Sequence, residues 1–285
     1  MSPSVTSVNA NRPVAATRWV CLLVALILAA AVALLYVSPG STDELFAWTI
    51  QPEMTPLFLG AAYGAGVYFF ARGFRTSDWH RISAGFPAIS LFAAMMLIAT
   101  LLHWDRFNGG DAPTMAAISF YAWVAVYIVS PFLVGAIWVL NRGADDGRPA
   151  AGDTVVPPRI RTLARVGGIA MLASAATFFL CPQVAIDIWP WELTELTARV
   201  MASFIAEAGA LALLLSFDRR WSAWRILVQT AAIGSLLLGV ASIRAWSDFD
   251  TANPLTWVLV ISIAGTLVGT LALWNRLDGQ DLDKA

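Results

Sequence analysis

Residues 84–104 read AGFPAISLFAAMMLIATLLHW, twenty-one positions in which His103 is the only side chain able to carry a charge. A helix of that length and character crosses the hydrocarbon core of a bilayer, for which about 20 apolar residues suffice. Seven further stretches meet the same test: 19–37, 55–71, 118–140, 163–181, 198–217, 223–243 and 254–274. The expected fold class is therefore all-α, a polytopic membrane helix bundle of about eight transmembrane helices. The first stretch is longer than the roughly 7–15 apolar residues of a secretory signal, so it reads as a retained helix.

Composition points the same way. Of 285 residues, 58% are hydrophobic and 13% charged, against roughly 45–50% and 25% in soluble domains. The surplus apolar surface is expected to face the lipid bilayer. Net charge is -1, and no long basic run or arginine-aromatic stripe suggests a nucleic-acid partner. Cys21 and Cys181 should lie at opposite membrane faces, too far apart for a disulfide, which needs Cα atoms within about 7 Å. His80 and His103 are too few and too distant to hold a haem, and no CxxC or HExxH pattern occurs, so neither a metal nor another cofactor is expected. Seventeen arginines against one lysine, with abundant Ala and Val, fit a GC-rich bacterial genome.

Basic residues in short loops set orientation. With a cytoplasmic N-terminus, the inner side holds fifteen: Arg12, Arg18, Arg72, Arg75, Arg81, Arg142, Arg148, Arg159, Arg161, Arg165, Arg219, Arg220, Arg225, Arg276 and Lys284. The outer side holds three, Arg106, Arg199 and Arg244. The bias alternates at every loop, which places both termini in the cytoplasm of a bacterial plasma-membrane protein. All thirteen tryptophans fall near an expected helix end, where an amphipathic ring sits at headgroup level.

The longest loop, 141–162, contains GADDGRPAAGD and reads as a flexible cytoplasmic linker. It divides the chain into an N-terminal tail (1–18), a four-helix unit (19–142), the linker (143–162), a second four-helix unit (163–276) and a C-terminal tail (277–285). The two units resemble each other at one offset. Adding 142 takes Glu53 to Glu195, Thr55 to Thr197, Trp104 to Trp246 and Phe107 to Phe249, so PEMT matches TELT and WDRF matches WSDF. Convergent headgroup-level chemistry is the alternative. Because four is even, such repeats enter the membrane in one direction, related by a pseudo-twofold axis along its normal.

Ser41-Thr-Asp-Glu44 has a capping-box pattern, and with Leu45, Phe46, Trp48 and Ile50 it suits a short interfacial helix that seals the outer surface or acts as a lid. Thr55-Pro56 reads as N-cap and first position of the second spanning helix. If Thr197 caps the sixth, Arg199 lies in its first turn, where the helix dipole disfavours a cation. A salt bridge to Glu192 or Glu195, or an anion site shared with Arg244, would compensate it. Glu53, His103, Asp105, Glu195 and Asp248 would gather at the outer face, either as a solvated acidic rim or as a cation or proton site. Glu207 is the one charge well inside an expected span, and its counterpart by offset is Ala65. Gly60 with Gly64, and Gly265 with Gly269, are small-residue pairs that permit close helix packing. Ser130-Pro131 should kink the fourth helix.

Two stretches carry a family resemblance. Trp189 to Arg199 (WPWELTELTAR) and Leu101 to Phe107 (LLHWDRF) resemble the WPWxLTxLTAR and LLHxDxF motifs of an uncharacterised actinobacterial-type multi-pass membrane protein family, with Glu195 where proline is expected. The resemblance implies the multi-pass fold and supplies no activity. Three functions fit the residues: a small-solute or ion transporter, a non-catalytic assembly or accessory subunit with a membrane-protein partner or a second copy, and an enzyme acting on lipid-linked substrates through His103, Asp105 or Glu195.

Overall fold

The computed structural model describes residues 12–109, 112–149 and 152–282, with side chains through 278. Lys284 and most of the N-terminal tail lie outside the described residues. Among the described residues eight helices are long and apolar enough to cross a membrane: α1 (Ala15–Val37), α2 (Met54–Arg75), α3 (Gly85–Leu102), α4 (Thr114–Asn141), α5 (Pro158–Leu180), α6 (Glu195–Leu215), α7 (Trp221–Arg244) and α8 (Pro254–Leu282). In lipid a helix satisfies its own backbone polar groups, which is why each apolar run adopts this one structure. Large apolar side chains face outward, among them Leu163, Val166 and Ile169 on α5 and Val258, Ile261 and Val268 on α8. An apolar girdle of that extent belongs against acyl chains rather than water. The chain is a multi-pass integral membrane protein.

The helices form two layers. One runs α1, α2, α7, α8; the other runs α5, α6, α3, α4; each helix packs closely on its neighbour within the layer, while helix backbones make only sparse contact across. Each layer thus takes one hairpin from each half of the chain. Exchanging α1 to α4 for α5 to α8 maps every close pair onto another close pair: α1 with α2 onto α5 with α6, α3 with α4 onto α7 with α8, α2 with α7 onto α6 with α3. Local detail agrees at the offset of 142. His103 (φ -126, ψ 34) and Ala245 (φ -110, ψ 35) terminate α3 and α7 alike, and single 3-10 turns, Trp104–Arg106 and Trp246–Asp248, follow. The next residues anchor alike too: Asn108 N–H donates to the Ala47 carbonyl (2.7 Å), and Asp250 N–H to that of Pro190 (2.9 Å).

Glycine sets the spacing within layers. A Cβ at Gly60 would stand 3.0 Å from the Tyr36 backbone nitrogen, and one at Gly168 would stand 2.7 Å from the Gly209 carbonyl and 2.8 Å from Leu213 nitrogen. Gly64 faces Leu237 of α7, so the Gly60 and Gly64 pair serves two partners. Gly265 and Gly269 were expected to pack in the same way. They do not: no atom lies within 4 Å of where their Cβ would stand, and both positions point out of the bundle.

Several loops differ from expectation. Between α1 and α2 only Thr42–Leu45 is α-helical, with no side-chain cap at Ser41. Phe46, Ala47, Trp48 and Ile50 then run into the interior, because the Thr42 hydroxyl pairs with both backbone groups of Ile50 and holds the chain inward. The stretch is a plug rather than an interfacial helix. Thr55 does not cap α2, which starts one residue earlier; the Asp248 carboxylate accepts from Met54 N–H (2.8 Å) instead. Thr194 rather than Thr197 caps α6, in a reciprocal capping box with Thr197, which moves Arg199 out of the first turn. Pro131 lies within a continuous α4, and Ser90 donates to its carbonyl (2.7 Å). Most tryptophans sit near helix ends, but Trp123 lies nine residues into α4; Trp48, Trp79, Trp123, Trp191, Trp221 and Trp224 are buried in protein, whereas Trp19, Trp104 and Trp257 are exposed.

The expected flexible linker is a docked strap. Arg220, 7% exposed, holds Asp145 through two 2.7 Å bonds and Asp218 through bonds of 2.6 and 3.0 Å. Val156 N–H donates to the Arg219 carbonyl and Trp221 N–H to that of Thr154, both at 2.9 Å. Asp153 accepts from Ser222 N–H and Oγ, and so caps α7. The expected C-terminal tail begins as helix, with Leu277 buried and Asp278 accepting from Trp221, Arg225 and Trp274.

Two substitutions test this arrangement. Gly168→Val should lower stability in detergent by about 1–3 kcal/mol through overpacking, while Gly265→Val leaves the melting temperature of the isolated protein unchanged. Arg220→Ala should cost about 3 kcal/mol, because it strands two carboxylates that the strap encloses, and limited proteolysis should then cut within 142–157.

Candidate functional site

Between the two layers, at mid-depth of the helices, lies a cavity of about 380 Å³. It is lined from one layer by α1, α2, α7 and a residue of α8, and from the other by α3, α4 and α6. Aromatic rings dominate the wall toward the plug. Phe204 on α6 stands 4.7 Å from Phe92, 5.6 Å from Phe58 and 5.8 Å from Tyr63, centroid to centroid. Across the layers, the hydroxyls of Tyr63 and Tyr127 bond to each other at 2.9 Å.

Glu207 follows Phe204 by three residues, so both present to the same side of α6. Its carboxyl lines the cavity, and among the described residues it has no hydrogen-bond donor and no cationic partner. A charge in the middle of a span costs about 2.5–3.5 kcal/mol on insertion scales, so its retention without a partner needs a use. The equivalent wall is smooth: Ala65 of α2 faces Gly234 of α7, a Cβ there reaching to 3.2 Å, and the offset of 142 carries this pair onto Glu207 and Phe92.

Contacts between layers close both ends of the cavity. At the plug end, Trp48 meets Trp123 edge to face at 4.8 Å, and the Trp191 indole donates to the Thr55 hydroxyl (2.9 Å). At the other end, Phe69 meets Phe86, and Asn141 of α4 donates to Thr17 of α1 (3.0 Å) and accepts from Val14 N–H.

The polar residues expected to gather at the plug end are distributed among separate tasks. Arg199 donates to His103 Nε2 (2.7 Å) and pairs with Glu195 (3.3 Å), so the expected compensation for Arg199 is Glu195 and His103 together. Arg244 sits over the Tyr36 ring and donates to its carbonyl (2.6 Å), away from the partners of Arg199. Asp248 caps α2, Glu53 lies beside Gly40, and Asp105 pairs with Arg106 at the exposed surface. Among the described residues no three His, Cys, Asp or Glu side chains converge as metal ligands. Cys21 is buried and Cys181 exposed, both as free thiols. Sequence reasoning did not single out Tyr63, Tyr127 or Arg220 for partnership; tyrosine and arginine at helix middles and ends carry no pattern that marks them.

Comparison with known proteins assigns nothing further: no protein-family model, no curated protein and no solved structure matches the chain.

His103 gives a pH prediction. Burial and the neighbouring Arg199 charge hold its imidazole below the usual histidine value. The unfolded chain therefore takes the proton first as pH falls. Stability from this site is complete above pH of about 6.5 and declines below it until the lower folded-state value is reached. His80 is depressed in the same direction by burial and Arg220, so the difference between wild type and His103→Gln isolates the contribution. Melting temperatures from pH 8 to 5 should fall more steeply in wild type.

Proposed function

We propose that this protein is a small-solute carrier of the plasma membrane, working through the cavity at Glu207. The observation that carries the reading is an unpartnered acid in a mid-depth cavity between two layers that touch mainly at their ends. Intramembrane acids of this kind mark solute and ion routes, and carriers built from repeats bind substrate at the midplane of the repeat interface. The exchange symmetry of helix neighbours and the matched turns after α3 and α7 support two parallel four-helix repeats, with the axis running through the cavity. Rocking of one layer against the other, breaking the Trp191 to Thr55 tie at one end and the Asn141 to Thr17 tie at the other, is then the transport movement. The excess of arginine at the ends bearing the Arg220 strap supports cytoplasmic termini. Kinship with the actinobacterial-type family rests on the two motifs, whose residues supply the Trp191 to Thr55 bond, the start of α6 and the His103 to Arg199 tie.

A cysteine in the cavity tests the movement without knowledge of the solute. In a Cys181→Ser background, Ser235→Cys should react with a membrane-impermeant maleimide added from either side of the membrane. Protection from both sides under all conditions would make the bundle a static scaffold and remove the carrier reading.

One observation favours a second reading, an accessory subunit: the outward Gly265 and Gly269 on α8 offer a close-approach surface that none of the described residues fills. A stoichiometric membrane partner that co-purifies from native membranes and is lost in Gly265→Leu would support it.

A further inference from the structure

We propose that the ligand of the central cavity is a lipophilic organic cation: one positive charge carried among bulky apolar or aromatic groups. The inference names the substrate class for the carrier reading and rests on it. Four features of the cavity converge on this chemistry. Its lining is almost entirely carbon, with rings of Phe58, Tyr63, Phe92 and Phe204 on one side, and aromatic faces attract cations that have shed their water. Its single ionisable carboxyl, Glu207, stands without a cation of the protein's own, since no arginine, lysine or histidine lines the space. The hydroxyls of Tyr63 and Tyr127 bond to each other, Thr230 donates to the Ile226 carbonyl (2.8 Å), and the remaining lining hydroxyls, on Ser130, Ser235 and Thr266, are neutral. Glu207 is the one carboxylate of the lining, and among the described residues no three His, Cys, Asp or Glu side chains converge, so the cavity offers no cage of charged oxygens for a small metal cation.

Neutral apolar solutes would leave the carboxyl unmatched, and anions would meet it directly. A cation whose charge is spread over or shielded by rings satisfies both the acid and the carbon wall. The asymmetry of the site fits as well. Ala65 and Gly234 pack against each other on one layer, while the equivalent Phe92 and Glu207 supply a ring and a charge on the other.

Two probes of the same shape and opposite charge decide the matter: tetraphenylphosphonium and tetraphenylborate, each presented to purified full-length protein in nanodiscs and measured by equilibrium dialysis. Tetraphenylphosphonium should bind saturably at one site per chain, and tetraphenylborate should not compete. Glu207→Gln should weaken phosphonium binding by about tenfold or more, the scale expected for loss of an enclosed ion pair, and Glu207→Asp should keep most of it. Equal binding of the two probes, no phosphonium binding, or full affinity in a folded Glu207→Gln would overturn the inference. The comparison of probes is made on wild type, so it stands if Glu207→Gln does not fold. Failure here leaves the carrier reading to the Ser235→Cys labelling, which uses no ligand. Loss of that labelling, with phosphonium still bound, would instead leave a cation-binding protein that does not transport.

Discussion

Close backbone approach at glycine joins α1 to α2 and α5 to α6, one pair in each layer of this bundle. Between helices in lipid there is no hydrophobic drive, because acyl chains are as apolar as the side chains they replace, and cohesion falls to van der Waals contact and a few polar bonds. Gly60 brings α2 against the backbone of Tyr36, and Gly168 with Gly209 brings α5 and α6 to carbonyl distance. Between the layers a glycine serves only at the end away from the plug, where Gly85 of α3 makes room for the Phe69 ring of α2. Cohesion between the layers comes from side chains at the two ends, Trp191 on Thr55 and Asn141 on Thr17, with the Tyr63 and Tyr127 pair between. Strong packing within layers and end-loaded packing between them leaves the centre open, and that opening is where Glu207 resides.

The spans were legible in the sequence because the bilayer imposes its requirement on each helix separately: about 20 apolar residues, whatever the neighbours. Loop structure was not legible, since it depends on partners distant in the chain. The capping-box pattern at Ser41 gave way to Thr42 bonded to Ile50, and the glycine-rich linker was ordered by Arg220, seventy-five residues beyond Asp145. Tryptophan position reports depth and nothing about what surrounds the ring, so Trp48 and Trp104 look alike in sequence although one is enclosed and the other faces out. The same holds for Gly60 and Gly265, equal in spacing pattern and opposite in environment.

Of the candidate site, Glu207 was legible as a charge at the wrong depth. The residues that give it meaning were not. Phe204, Tyr63 and Phe92 are ordinary in apolar helices, and only their meeting around one carboxyl makes a chemical environment. The plug-end acids showed the reverse behaviour. Conspicuous as a group in the sequence, they separate in the folded chain into a helix cap, a surface pair and a partner for Arg199.

The interleaving of hairpins also orders how the molecule must be made. Neither layer contains two hairpins from one half: α1 and α2 wait for α7 and α8, and α3 and α4 wait for α5 and α6. While the ribosome is still delivering the second half, the first four helices have their lateral faces bounded by lipid alone. Asp145 and Asp153 emerge long before Arg220 and Ser222 arrive to receive them. Assembly therefore finishes only when the last hairpin leaves the insertion machinery, and a chain shortened within it yields a half-built layer rather than a smaller working protein.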